Sequence, residues 1–227
     1  MRYRFLLVLL MLPLLIVAQV ERDSSYVNPR YFEDQFYLGI TYNFVLNQPD
    51  LVSQRNFSYG LQGGFIKDIP MNSKRTVALG VGLGLALNTY YTNIEASETA
   101  NGINYAIGVT SGFKRSKLET HLVELPIEFR WRNSTAGDYK FWRIYTGVKL
   151  GYAFDSRSKL VADSINESFS NGDVRKLQYG ITFNFGYSSF NAHVYYSLTG
   201  LFSDNVALNG SDINMQPLHI GLIFYIL

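Results

Sequence analysis

Apolar residues occupy every second position from Val77 to Leu87, through Leu79, Val81, Leu83 and Leu85. Thr76, Ala78, Gly80, Gly82, Gly84, Ala86 and Asn88 fill the positions between them. A helix advances 3.6 residues per turn and cannot hold such a run on one face; a strand, whose side chains alternate between faces, can. The second face is small rather than charged. In a narrow barrel, small inward residues leave room for long side chains from neighbouring strands.

The same period of two recurs along the chain. Segment 36–46 sets Phe36, Leu38, Ile40, Tyr42 and Phe44 against Tyr37, Gly39, Thr41 and Asn43. Segment 55–67 sets Phe57, Tyr59, Leu61 and Phe65 against Ser58, Gly60, Gln62 and Gly64. Further segments cover 75–92, 117–132, 140–154, 175–187, 190–201 and 216–227, which makes eight. Long connections are expected near 47–54, 93–116, 155–173 and 202–214. Short ones are expected near 68–74, 133–139 and 188–189, with Asp68, Pro70 and Asn72 supplying turn chemistry in the first. Connections one, three, five and seven are the long ones, the asymmetry of outer-membrane barrels with short periplasmic turns and long external loops.

The N-terminus is read as a targeting segment. Residues 1–18, MRYRFLLVLLMLPLLIVA, combine Arg2 and Arg4 with an apolar run from Phe5 to Val17 and a small residue at Ala18. That pattern predicts a cleaved secretory signal peptide, since the run is short of the roughly 20 residues of a spanning helix. Residues 19–34 are polar without a period and are expected to form a periplasmic tail. The barrel is assigned to 35–227.

Composition separates the lipid-facing barrel from a soluble one. Parity alone also describes a lipocalin-like barrel with its apolar face inward. The chain, however, has 17% charged and 15% aromatic residues, against about 25% charged in ordinary soluble domains. The apolar faces run five or six residues deep without a charge. Aromatics gather at segment ends (Tyr90, Tyr91, Trp131, Trp142, Tyr152, Phe154, Tyr187 and Phe190), as interfacial girdles do. The predicted fold is therefore all-β: an eight-stranded antiparallel transmembrane barrel in the outer membrane of a Gram-negative bacterium.

Few residues suggest chemistry. With 0 cysteines there is no disulfide, thiolate metal site or cysteine nucleophile, and 3 histidines offer little to a metal. Of 20 basic residues, cleavage removes Arg2 and Arg4, leaving 18 against 18 acidic ones and no basic excess for a nucleic acid. Glu124, Glu128, Arg130 and Arg132 share one face of segment 117–132, and Arg143 and Lys149 share the matching face of 140–154. Glu124 and Glu128 stand about 13 Å apart at strand rise, too far to act as a coupled carboxylate pair. The six charges are read as a structural cluster of ion pairs filling the lumen. His193 and His219 fall on lumen parity and His121 near an external loop; each is read as an ordinary polar residue. No catalytic residue, cofactor, metal site or small-molecule substrate is inferred, and the expected surroundings are outer-membrane lipid. The stretch 93–116 is expected to be the longest external loop and a candidate partner surface.

Segment 117–132, KLETHLVELPIEFRWR, resembles the characteristic strand of the PorT/SprT family of outer-membrane barrels. The pattern is Glu124-Leu125-Pro126-Ile127-Glu128-Phe129-Arg130-Trp131, with a proline unusual inside a strand. The stretches FEDQFYLGITYNF (32–44) and NFSYGLQGGFIKDIP (56–70) look similar to secretion-linked members. The resemblance covers residues 30–227. It implies an accessory component of the type IX secretion system of Bacteroidota, whose partners are other secretion components and which also serves gliding motility where that occurs. The family has no catalytic motif to transfer.

Overall fold

The computed structural model describes residues 34–100, 102–108, 110–133, 141–204, 206–208 and 210–226. The signal peptide expected at 1–18, nearly all of the tail expected at 19–34, and most of the turn expected at 133–139 lie outside these residues.

Thirteen strands follow in chain order among the described residues: β1 (Asp34–Leu46), β2 (Tyr59–Pro70), β3 (Val77–Thr92), β4 (Ile94–Thr99), β5 (Gly102–Ile107), β6 (Phe113–Arg132), β7 (Trp142–Ala162), β8 (Asn166–Ser170), β9 (Leu177–Tyr187), β10 (Phe190–Ser197), β11 (Ala207–Leu208), β12 (Ser211–Asp212) and β13 (Gln216–Ile226). Eight of them close on themselves. β1 pairs with β2, β2 with β3, β3 with β6, β6 with β7, β7 with β9, β9 with β10 and β10 with β13, all antiparallel. The ring is sealed by β1 against β13, in unbroken register from Phe36 opposite Ile226 to Leu46 opposite Gln216. The eight predicted segments are these eight strands.

The apolar face points outward. Leu83 and Leu85 are each 60% exposed, whereas Arg130 is 0% exposed. Phe36, Leu38, Ile40, Leu61, Phe183 and Ile220 are exposed in the same way, and Thr41, Asn43, Thr182, Asn184 and His193 are buried. A soluble barrel has the opposite polarity. Here the interior is polar and the exterior is a continuous apolar wall, the arrangement suited to hydrocarbon as the outer solvent.

Glycine on the inner face of β3 makes room for what the lumen holds. A Cβ at Gly80 would lie 2.6 Å from Arg130 Nε, and one at Gly84 would lie 2.0 Å from the Tyr37 hydroxyl. The small face read from the sequence is thus the floor over which two large side chains lie. Opposite it, the β3–β6 register passes from Val81–Ile127 to Gly84–Glu124, with the step interrupted at Pro126, which has no N–H to donate.

Three of the predicted loops contain ordered β-structure; in 202–214 it is the short β11–β12 pair, Ala207 opposite Asp212 and Leu208 opposite Ser211. Most of 93–116 is the β4–β5 hairpin, paired from Ile94–Ile107 to Thr99–Gly102, followed by the first turn-distal residues of β6. In 155–173, β7 continues to Ala162 and pairs with β8. β6 has 20 residues, or about 65 Å at strand rise, so the β6–β7 ribbon stands well beyond the 9–11 residues that cross a bilayer. Period two is lost in these stretches because they face water and other loops rather than lipid. Phe154 is the extra residue of a bulge where the ribbon leaves the wall: His121 pairs with Asp155 and Leu122 with Ala153.

The lipid-facing assignment has a direct consequence. Leu83→Arg puts a charge at mid-wall and should lower folded stability in lipid by about 2–4 kcal/mol. Leu51→Arg, in the external loop and 82% exposed, should change it by no more than about 0.5 kcal/mol. Urea midpoints of both variants folded into vesicles provide the comparison.

Candidate functional site

The six charges singled out from the sequence all lie inside the barrel and are buried. They form two groups rather than one cluster. Towards the short-turn end, Arg130 Nη1 donates to Asp68 Oδ1 at 2.5 Å and to Gln35 Oε1 at 3.1 Å, and its Nε donates to Glu128 Oε2 at 2.9 Å. Arg132 Nη1 takes the other Asp68 oxygen at 2.6 Å, and its Nε donates to the Arg75 carbonyl at 2.9 Å. Asp68 therefore bridges two arginines. Further up, Lys149 pairs with Glu124 at 3.1 Å and also contacts Gln62. Glu124 and Glu128 never meet; each serves a different cation.

Aromatic rings complete the cages. The Arg130 guanidinium lies 4.5 Å from the Tyr145 ring centre and 5.1 Å from that of Tyr225. Lys149 Nζ lies 5.3 Å from that of Tyr195. Arg143 stands opposite Arg132 in the β6–β7 ladder, where like charges repel. Its guanidinium stacks on Phe141 at 4.5 Å and has no ion pair among the described residues. Removing one partner from such a buried set leaves an uncompensated charge, which costs far more than the intact pair gains.

Asp68 corrects the sequence reading most sharply. It was assigned to a turn, yet it lies within β2, buried to 2% and central to the ion pairs. Continuing the inward parity of Gly60, Gln62, Gly64 and Ile66 by one step reaches it. Gln62 and Asn184 fall on the inner parity read from the sequence, but neither they nor Gln35 stood out as partners of the charges, because an uncharged amide on a strand carries no signal of its own. The histidines separate by location. His193 Nδ1 bonds to Asn184 at 2.5 Å and His219 Nε2 to the Tyr90 hydroxyl at 2.8 Å, both inside. His121 is on the outer surface, 3.2 Å from Asp155.

Above this polar interior the long connections build an apolar cap. Val52, Tyr90, Ile94, Tyr105, Phe202 and Met215 belong to one buried cluster. The void between Tyr90, Ile94, Tyr105, Phe202 and Met215 is about 20 Å³, room for a single water molecule. One polar knot fastens the cap from the side: the Tyr105 hydroxyl bonds Asn171 at 3.1 Å and Asp173 at 3.0 Å. Burial pushes the Tyr105 phenol well above the ordinary tyrosine value.

A closed eight-stranded barrel with an apolar exterior, a lumen filled by side chains and short turns at one end defines a small outer-membrane protein. The sequence profile described as "Outer membrane protein beta-barrel domain" matches residues 17–203, and the chain belongs to that family. Among solved structures, it is similar to the crystal structure of Ail, the attachment invasion locus protein of Yersinia pestis, with 13% identity, 86% of this chain and 98% of that chain covered, and a TM-score of 0.38. A search of curated proteins finds no match.

Two outcomes follow from this geometry. Asp68→Ala should lower stability by about 3–5 kcal/mol, because it removes the carboxylate that two buried arginines share and leaves their group with uncompensated positive charge; urea unfolding in micelles measures it. Tyr105→Phe should cost the cap about 1 kcal/mol at neutral pH. The fold favours the protonated phenol, so that contribution is complete below about pH 10 and is lost as pH rises through the raised folded value. Limited proteolysis of the 94–107 hairpin should therefore increase in alkali for the wild type, and less so for Tyr105→Phe.

Proposed function

We propose that this protein is an accessory outer-membrane component of type IX protein secretion, and of gliding motility where that occurs, acting through protein contacts rather than as a conduit or an enzyme. The observation that carries the reading is the obstructed interior. Two ionic groups fill the lower lumen and an apolar cap closes the upper end, so the barrel is suited to anchoring surfaces rather than to passing cargo. The resemblance of 117–132 to the PorT/SprT strand supplies the secretion system. The same strand supplies much of the lumen chemistry: Glu124, Glu128, Arg130 and Arg132 all come from it.

A second reading is a small barrel for surface ligand binding or envelope integrity. It draws on the folded outer cap, where the β4–β5 hairpin presents an ordered surface above the membrane.

Secretion in a clean deletion strain separates the two. Cargo bearing a type IX C-terminal domain should accumulate in the periplasm and return to the medium when a plasmid copy is supplied. Unchanged secretion would favour the second reading. Purified protein in a planar bilayer should show no steady conductance in either case; a stable open channel would remove the anchoring premise.

A further inference from the structure

Where the β6–β7 ribbon leaves the wall, its outward face carries a basic row. Lys117 pairs with Lys159, Glu119 with Arg157 and His121 with Asp155, with Arg115 one step above, opposite Val161. Four cations thus stand with two carboxylates, and both carboxylates are engaged. Glu119 forms an ion pair with Lys117, and Asp155 lies 3.3 Å from Arg157 and 3.2 Å from His121. Arg115 and Lys159 have no ion pair among the described residues. Like charges placed directly opposite on a ladder, as Lys117 and Lys159 are, repel unless an anion lies between them.

Directly below this row the apolar wall is indented. A surface groove of about 340 Å³ is lined by Leu38, Leu61, Gly63, Leu85, His121 and Phe154. It exists because Gly63 occupies a lipid-facing position without a side chain, and because the bulge turns Phe154 outward to form the upper lip. His121 belongs to both features: it lines the groove and pairs with Asp155. Arg157 is two residues beyond Asp155, about 7 Å along the strand. The groove therefore opens at its upper end onto the cations.

We propose that this is a binding site for a phosphate-bearing lipid of the outer leaflet, with an acyl chain in the groove and the phosphate on Arg157, Lys159 and Lys117. The occupant follows from continuity and charge. The wall around the groove faces hydrocarbon, so a chain is already its solvent. The excess of positive charge lies on the long-loop side, where an outer-leaflet headgroup sits. A flexible chain alone would explain the groove but leave Arg115 and Lys159 without a counter-charge; a phosphate satisfies both. The inference depends on the outer-membrane assignment and not on the secretion reading.

The test uses full-length folded protein in neutral detergent, with bound lipid counted by native mass spectrometry. The probes are bisphosphorylated lipid A, the same lipid without phosphates, and inorganic phosphate. The wild type should retain the phosphorylated lipid roughly tenfold or more better than the dephosphorylated one. Arg157→Gln with Lys159→Gln should erase that preference. Gly63→Leu, which fills the groove, should weaken both lipids alike while heat-modifiable gel mobility reports an intact barrel. Inorganic phosphate should not displace bound lipid. Equal retention of the two lipids by the wild type, an unchanged preference in the double variant, or displacement by phosphate alone would overturn the proposal.

Discussion

Every backbone N–H and C=O that lies in hydrocarbon has to find a partner within the protein, and the pairing of β1 with β13 is what satisfies that condition here. An open sheet of the same eight strands would present two edges to lipid. Once the ring is closed, the alternation of side chains has no freedom left: one parity meets lipid and the other fills a lumen too narrow for a solvent channel. The polarity of the interior, the glycines of β3 and the buried charges follow from this closure.

The charged interior reflects the same geometry. Residues on the inner parity have no second hydrophobic layer to pack against; they meet one another across the barrel. Arg130 reaches from β6 to Asp68 on β2 and Gln35 on β1, and it rests on Tyr145 of β7 and Tyr225 of β13. One side chain thus ties five of the eight strands. Such a set gains little over an apolar filling in net free energy, yet it strongly disfavours a shifted register, because a slip of one residue would turn its charges to lipid.

The upper part of the molecule obeys different physics. Beyond the bulge at Phe154 the ribbon has left the hydrocarbon, and the cap over the lumen is built as a water-soluble core is, from Ile94, Tyr105, Phe202 and Met215 packed inward. Lipid wall below, soluble-type core above and a basic row between them divide the surface by height. The proposed functions divide with it: the proposed protein contacts would use the cap and the short-turn end, and lipid meets the wall.

The eight strands, their parity and the alternation of long and short connections were all legible in the sequence, because each strand in lipid must repeat apolar residues every second position over its whole span. Glu124, Glu128, Arg130, Arg132, Arg143 and Lys149 could be assigned to a shared face for the same reason. Their partners could not. Asp68, Gln35 and Gln62 lie on other strands, and which residues meet across a lumen depends on strand order, tilt and register, none of which a local pattern encodes. The hairpin at 94–107 was hidden because strands in water above a membrane need no strict alternation. Nor does period two contain the sign of the faces. It determines that two faces exist; the scarcity of charge and the aromatics at segment ends assigned the apolar one to lipid, whereas only the closed ring decided which inward side chains meet one another.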